Sequence, residues 1–281
     1  MKKILVPTDF SEESRNAFEV ALAIARKTGA AIKLLHVVEV PQTGNFSATG
    51  DVQVGDNMDQ LYTMQLLGIT KMQMGRLLEA IDHNGVEVTQ EVEVGLIISN
   101  IKRTVLDEQI DLVVMGSKGS SGLEEFLIGS NTEKVVRAAD CPVLTVKHRQ
   151  LAFEVREVVL ASDFKREIGA AMEKFKYFQE IFGARLHLMY VNTPGAFESS
   201  SNLRRRLQET ADKYGFQNYT TNTYNDVNEE DGILHFAQDV RADLIMMATH
   251  GRTGLAHLLS GSIAEDLVNH TSIPVLTIHL K

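Results

Sequence analysis

Short, continuously apolar runs rich in β-branched residues recur at Ile4–Pro7, Ile32–Val38, Val86–Val92, Leu112–Met115 and Val143–Val146. Runs of this length without alternation predict strands buried on both faces, as in a parallel sheet. Between them the apolar period changes. Ala17, Val20, Ala21 and Ile24 recur at helical spacing, as do Leu61, Met64 and Leu67, then Met74, Leu77, Leu78 and Ile81. Alternation of strand and helix predicts a doubly wound sheet with right-handed crossovers. The Met-rich face of the Leu61–Ile81 helix reads as core filler, because methionine fills irregular gaps, rather than as a cofactor surface.

The same pattern then starts again. Ile4-Leu5-Val6-Pro7-Thr8-Asp9-Phe10 is answered by Val158-Val159-Leu160-Ala161-Ser162-Asp163-Phe164, and Leu34-Leu35-His36-Val37 by Leu188-Met189-Tyr190-Val191. Asp111-Leu112-Val113-Val114 matches Asp243-Leu244-Ile245-Met246, and Pro142-Val143-Leu144-Thr145 matches Pro274-Val275-Leu276-Thr277. Asp163 lies 154 positions after Asp9, and Pro274 only 132 after Pro142, so the first copy holds 22 extra residues between Val37 and Asp111. The Gly- and Asp-containing stretch Gln42–Met58 reads as the long loop that carries them. The polar stretch Lys147-His148-Arg149-Gln150 marks the boundary, giving domains 1–148 and 152–281. The expected fold is two tandem five-stranded parallel α/β/α units, each with strand order 3-2-1-4-5. Their last strands, Val143–Val146 and Val275–Ile278, are apolar sheet edges and are expected to pair.

Length agrees with two domains, since 281 residues exceed one typical unit of roughly 100–200. A net charge of −9 argues against nucleic acid and against anionic membranes as partners. No run reaches the ~18 apolar residues of a membrane helix, and the apolar start is too short for a signal peptide, so a cytoplasmic protein is expected. The single cysteine, Cys141, allows no intrachain disulfide and reads as a packing residue.

The residues that carry chemistry cluster at strand ends. The fourth strand of copy one runs into Gly116-Ser117-Lys118-Gly119, and nine residues later Gly129-Ser130 opens a helix. Glycines past a strand let backbone approach a ligand, and a helix start offers unpaired N–H groups to phosphate. Asp9 ends the first strand as an acceptor for a ribose hydroxyl or an exocyclic amine. In the order 3-2-1-4-5, strands one and four flank the point where the winding reverses, where open α/β sheets bind ligands. The same residues also have a plainer reading. Asp9 with Glu12 can form a capping box, and Gly116, Gly119 and Gly122 can be turn and hinge glycines.

Gly116, Gly119, Gly129 and Ser130, with the Asp-Phe turn, resemble the ATP-binding branch of the universal stress protein family over nearly the whole chain, one family domain per half. The resemblance implies an adenine-nucleotide α-hydrolase-like fold and ATP, ADP or AMP as ligand, with or without Mg²⁺. It implies that Asp9 and the Val37 backbone hold the adenine end. The backbone at Gly116 and Gly119 would line ribose and phosphates, and Gly129, Ser130 and Asn131 would grip the phosphates. In copy two the equivalents are Asp163, Val191, His250, Gly251, Arg252, Gly261 and Ser262. There Ala248 stands where copy one has Gly116, and its methyl group would crowd a ribose, so copy one is expected to be the better site. Against this, His250 and Arg252 offer donors that copy one lacks; Ser120 stands opposite Arg252, with Lys118 one place early. The resemblance also implies an intramolecular pseudo-dimer of the two domains and admits a homodimer of the whole chain.

Other chemistry finds little support. His250 and His257 lack further ligands for a metal. His36 reads as a hydrogen-bonded interior histidine, and Arg204-Arg205-Arg206 as a solvated face. Ser11, Ser120 and Ser130 lack a nucleophile elbow, and no catalytic residue is assigned. Two functions stay open: a nucleotide-binding regulatory module of the stress response, or a slow ATP hydrolase or nucleotidyl transferase. The second needs a metal-binding carboxylate near the phosphates, and Asp9 is expected at the adenine end.

Overall fold

A computed structural model describes residues 1–39, 57–117, 129–150, 152–164, 169–250 and 260–280. Copy one runs β1 (Lys3–Pro7), α1 (Glu12–Thr28), β2 (Ala31–Val38), α2 (Asn57–Ala80), β3 (Val88–Val94), α3 (Ile97–Asp107), β4 (Leu112–Gly116), α4 (Ser130–Ala138) and β5 (Val143–Val146). Copy two runs β6 (Glu157–Ala161), α5 (Gly169–Phe182), β7 (Arg185–Asn192), α6 (Ser200–Tyr214), β8 (Tyr219–Asn225), α7 (Glu229–Asp239), β9 (Leu244–His250), α8 (Ser260–His270) and β10 (Val275–Leu280). The strands form one ten-stranded sheet in the order β3-β2-β1-β4-β5-β10-β9-β6-β7-β8, so each tandem domain has the order 3-2-1-4-5.

All neighbours within a copy are parallel, and β5 meets β10 antiparallel. Leu144 lies opposite Leu276 at the centre of this seam, flanked by Thr145 opposite Val275 and Val143 opposite Thr277. The threonines reinforce it symmetrically: Thr145 Oγ1 donates to the Val275 carbonyl at 3.2 Å and Thr277 Oγ1 to the Val143 carbonyl at 3.3 Å. All six residues are buried, so the pair excludes water from backbone groups that an open edge would leave unpaired.

The duplication reaches the backbone. Phe10 and Phe164 are both left-handed (φ 66° and 55°), as are Gln109 and Arg241 (φ 54° and 51°). Asp111 Oδ2 accepts from the Lys3 N–H at 3.0 Å, and Asp243 Oδ2 from the Glu157 N–H at 3.0 Å. The aspartate before each fourth strand thus ties down the start of the first strand, which explains its place in both copies.

The amphipathic helix α1 begins at Ser11, whose Oγ accepts from the Ser14 N–H. Glu12 and Glu13 sit in its positive first turn, Arg26 and Lys27 in its last, and Gly29 closes it at φ 71°. The cap is therefore Ser11, not Asp9; Asp9 Oδ1 accepts in turn from the Ser11 N–H at 3.1 Å. β3 begins two residues later than the apolar pattern suggests, because the Val86 N–H turns back to the His83 carbonyl at 3.1 Å and Gly85 is left-handed. Met74 and Leu77 of α2 are buried, but Met64 and Met72 are 70% and 59% exposed, so its Met-rich face is core only in part. The helix is apolar around most of its circumference and has a single side to lay on the sheet. Of the loop expected at Gln42–Met58, Asn57 and Met58 open α2, and the rest lies outside the described residues.

Candidate functional site

A cavity of about 130 Å³ opens at the carboxyl ends of β1, β2 and β4, against the start of α4. Asp9, Val37, Gly116, Gly129, Ser130 and Asn131 all line it. These residues come from four separate stretches of chain, brought together because β1 and β4 are neighbours where the winding reverses. The volume is small beside the roughly 300–1,000 Å³ of typical ligand pockets. Gly119 lies outside the described residues.

Each wall is fixed by hydrogen bonds. The Thr8 N–H donates to the Leu35 carbonyl at 2.9 Å, and the Thr8 and Ser14 hydroxyls are 3.1 Å apart. Thr132 Oγ1 donates to the Gly116 carbonyl at 2.8 Å, tying the first turn of α4 to the end of β4. The Gly129 N–H donates to the Ser117 carbonyl at 2.8 Å, and the Gly129 carbonyl accepts the Glu133 N–H at 3.0 Å. Gly129 is thus the N-cap of α4 with no side chain to bond the first-turn N–H groups. Such groups lack intrahelical partners and carry the positive end of the helix dipole.

His36 also lines the cavity. Its Nδ1 is 2.7 Å from the Thr8 carbonyl, which can only accept, so Nδ1 holds the ring proton. The ring stacks on Phe10 at 4.7 Å between centroids. Burial holds the imidazole below its ordinary value, against the opposing pull of the Thr8 carbonyl and Asp9. His36 is accordingly hydrogen-bonded, as its apolar strand suggested, but it is half-buried at the cavity wall and not interior. Thr8, Ser14 and Thr132 have no outstanding sequence signal. Their position one or a few residues from Asp9 and Ser130 is the only pointer to them.

In copy two, Asp163 follows β6, Val191 lies in β7 and His250 ends β9. α8 already begins at Ser260, so Gly261 and Ser262 fall inside its first turn, whereas Gly129 precedes α4. Gly251 and Arg252 lie outside the described residues. Because β5 and β10 run antiparallel, the carboxyl ends of the strands in the two copies point in opposite directions. Arg206 departs from the solvated-face reading. It pairs with Glu198 at 3.0 Å and lies 5.2 Å over the Tyr190 ring, while Arg204 and Arg205 are exposed.

Cys141 is buried, and burial pushes its thiol up to about 12. The thiolate is the reactive form, so at pH 8 native protein should react with a thiol reagent only as fast as it unfolds. Dithionitrobenzoate labelling in rising urea checks this; rapid labelling without denaturant would contradict it. Among the described residues no helix is long and apolar enough to cross a membrane. No His, Cys, Asp and Glu cluster among them is arranged to hold a metal ion.

A duplicated doubly wound sheet with a crevice at its first-to-fourth strand junction defines a tandem α/β protein class by fold. The universal stress protein family pattern matches residues 1–147 and 154–279, and the chain belongs to that family. It is similar to the universal stress protein Slr1230 of Synechocystis sp., with 24% identity and 99% of both chains covered. It is also similar to the universal stress protein MJ0577 of Methanocaldococcus jannaschii, with 31% identity over 53% of this chain and 96% of that one. A solved universal stress protein from Archaeoglobus fulgidus shares the fold across 99% of this chain and 96% of that one, with a TM-score of 0.72 and 22% identity.

Proposed function

We propose that the copy-one crevice binds an adenine nucleotide, ATP foremost, and that the chain is a nucleotide-responsive regulatory module. The supporting observation is the convergence of Asp9, Val37, Gly116, Gly129, Ser130 and Asn131 on one cavity. Asp9 and the Val37 backbone suit the base or ribose end, and the α4 start with the Ser130 hydroxyl suits phosphate. Gly119 belongs to the same proposed loop, and Asp163, Val191, His250, Gly251, Arg252, Gly261 and Ser262 to a second, weaker site.

The units are residues 1–148 and 152–281, acting as an intramolecular pseudo-dimer through β5 and β10. α4 packs on β10 as well as on β5, so an anion at its first turn would act on the seam between the copies. That is how occupancy in copy one would reach copy two. Among the described lining residues Asp9 is the sole carboxylate, and Ser11 already engages it, so none of them adds a carboxylate at the phosphate end for an enzyme reading.

Calorimetric titration of ATP, ADP and AMP, each with and without Mg²⁺, tests the reading. About one tight site per chain is expected, with mass spectrometry showing adenine nucleotide released from protein purified without additions. Folded protein that binds none of the three would overturn it.

A further inference from the structure

The third strand of each copy passes to the next helix through a short connection. In copy one it is Gly95 and Leu96, and in copy two it is Asp226, Val227 and Asn228. Both connections expose an apolar side chain at the carboxyl edge of the sheet, Leu96 at 69% and Val227 at 77%. Copy two keeps a capping residue as well. The Asn228 side chain accepts from the Asp231 N–H, and Glu229, Glu230 and Asp231 fill the first turn of α7. Copy one gives the cap position itself to Leu96, with no side-chain bond to the helix and no acidic residue in the first turn of α3. Leucine is among the poorest N-cap residues, and a side chain left in water gains no burial. Helix stability therefore does not account for Leu96.

Its backbone is fixed while its side chain stands in water. The Gly95 N–H donates to the Val38 carbonyl at 3.0 Å, and Gly95 turns the chain off β3 at φ 137°. The Leu96 carbonyl accepts from the Asn100 N–H at 3.1 Å and from Asn100 Nδ2 at 3.2 Å. The next residue, Ile97, lines the copy-one cavity, as do Ile101 one turn further on and Leu35, Val37 and Met115 from the strands. The residues that α3 brings to the cavity are apolar, and those of the α4 start, Ser130, Asn131 and Thr132, are polar.

We propose that Leu96 is the cover over the nucleobase of the copy-one ligand, packing on the face of the ring while Ile97 and Ile101 form the wall beside it. The proposal rests on the nucleotide reading above and adds to it the residue that holds the base. A base is planar and apolar on its faces, and neither the Asp9 carboxylate nor a helix start supplies an apolar contact there. Val37 stands at the base end of the reading, and β3 runs beside β2 with Val94 opposite Val38, two residues before Leu96. Covering about 50 Å² of base and side chain at about 25 cal/mol per Å² corresponds to about tenfold in affinity.

Calorimetric titration of ATP and AMP into the full chain, with urea unfolding beside it, tests the proposal on Leu96→Asn and Leu96→Met. Leu96 has φ −80° and ψ 125°, the extended backbone of an N-cap, so asparagine can cap α3 there. Leu96→Asn is expected to raise the unfolding midpoint of ligand-free protein. It should weaken ATP and AMP by the same factor, about tenfold, because the two share the base. Leu96→Met keeps an apolar cover and should bind both within about twofold of wild type. Equal affinities for wild type and Leu96→Asn overturn the proposal and leave the nucleotide reading standing. A lowered midpoint in Leu96→Asn also overturns it, since the leucine would then serve the fold. So does a loss for ATP that exceeds the loss for AMP, since the effect would then lie at the phosphates. Wild type that binds neither nucleotide overturns both the proposal and the reading beneath it.

Discussion

Gly116→Ala is expected to lower folding stability by about 1–3 kcal/mol with no nucleotide present. A Cβ at Gly116 would lie 2.8 Å from Glu13 Cβ, 2.9 Å from the Glu13 carbonyl carbon and 3.1 Å from its oxygen. Two of these atoms are backbone in the first turn of α1, which cannot swing aside as a side-chain tip would. That turn contains the Ser11 cap and the Ser14 hydroxyl that meets Thr8, and it is anchored by Asp9. The glycine at the end of β4 is therefore needed for helix–strand packing, whatever it contributes to a ribose. Any loss of nucleotide affinity in this variant would mix a displaced α1 with a crowded ligand. Urea unfolding of ligand-free protein measures the packing effect directly. The midpoint should fall while the slope stays constant. Ala248→Gly in copy two should cost about 1–2 kcal/mol, backbone entropy plus a partly buried methyl packed on the core. Equal midpoints for Gly116→Ala and wild type would show that α1 yields freely and that the close approach has no energetic weight.

The fold was legible because its signals are redundant. The inner strands are continuous apolar runs, whereas the outer strands β3 and β8 are mostly polar and only partly buried; each repeat confirms the other, and parallel strands buried on both faces cannot be read as amphipathic helix. The crevice followed from topology, since the order 3-2-1-4-5 sets Asp9 beside Gly116 before any side chain is placed. What escaped depends on distances that sequence does not encode. The contact between Gly116 and Glu13 needs the crossing of α1 over β4. Apolar periodicity could not choose the buried face of α2, because nearly every face of that helix is apolar. Arg206 read as solvated because its neighbours are, whereas its partner Glu198 belongs to the turn before the helix. A Ser cap and an Asp cap two residues apart give the same sequence signal at Asp9, Ser11 and Glu12. Gly119, Gly251 and Arg252 lie outside the described residues, so their proposed roles rest on sequence spacing alone.

Gly129→Val isolates the ligand term that Gly116→Ala confounds. Gly129 has φ −61° and ψ 135°, extended backbone that valine adopts readily, so the substitution adds no backbone strain. Its N–H to the Ser117 carbonyl and its carbonyl to the Glu133 N–H are main-chain bonds and survive the change. Glycine is a moderate N-cap and valine a poor one, so ligand-free stability should drop by less than about 1 kcal/mol. The new isopropyl group would stand at the cavity wall beside Ser130 and Asn131, where the first N–H groups of α4 point at the proposed phosphates. Affinity for ATP should fall at least tenfold, about 1.4 kcal/mol or more, with Gly129→Ala intermediate. Calorimetry on the three proteins, beside their unfolding midpoints, separates a blocked site from a loosened fold. If the valine variant binds ATP as wild type does, the phosphates do not lie at the start of α4, and any nucleotide bound by this chain is held elsewhere.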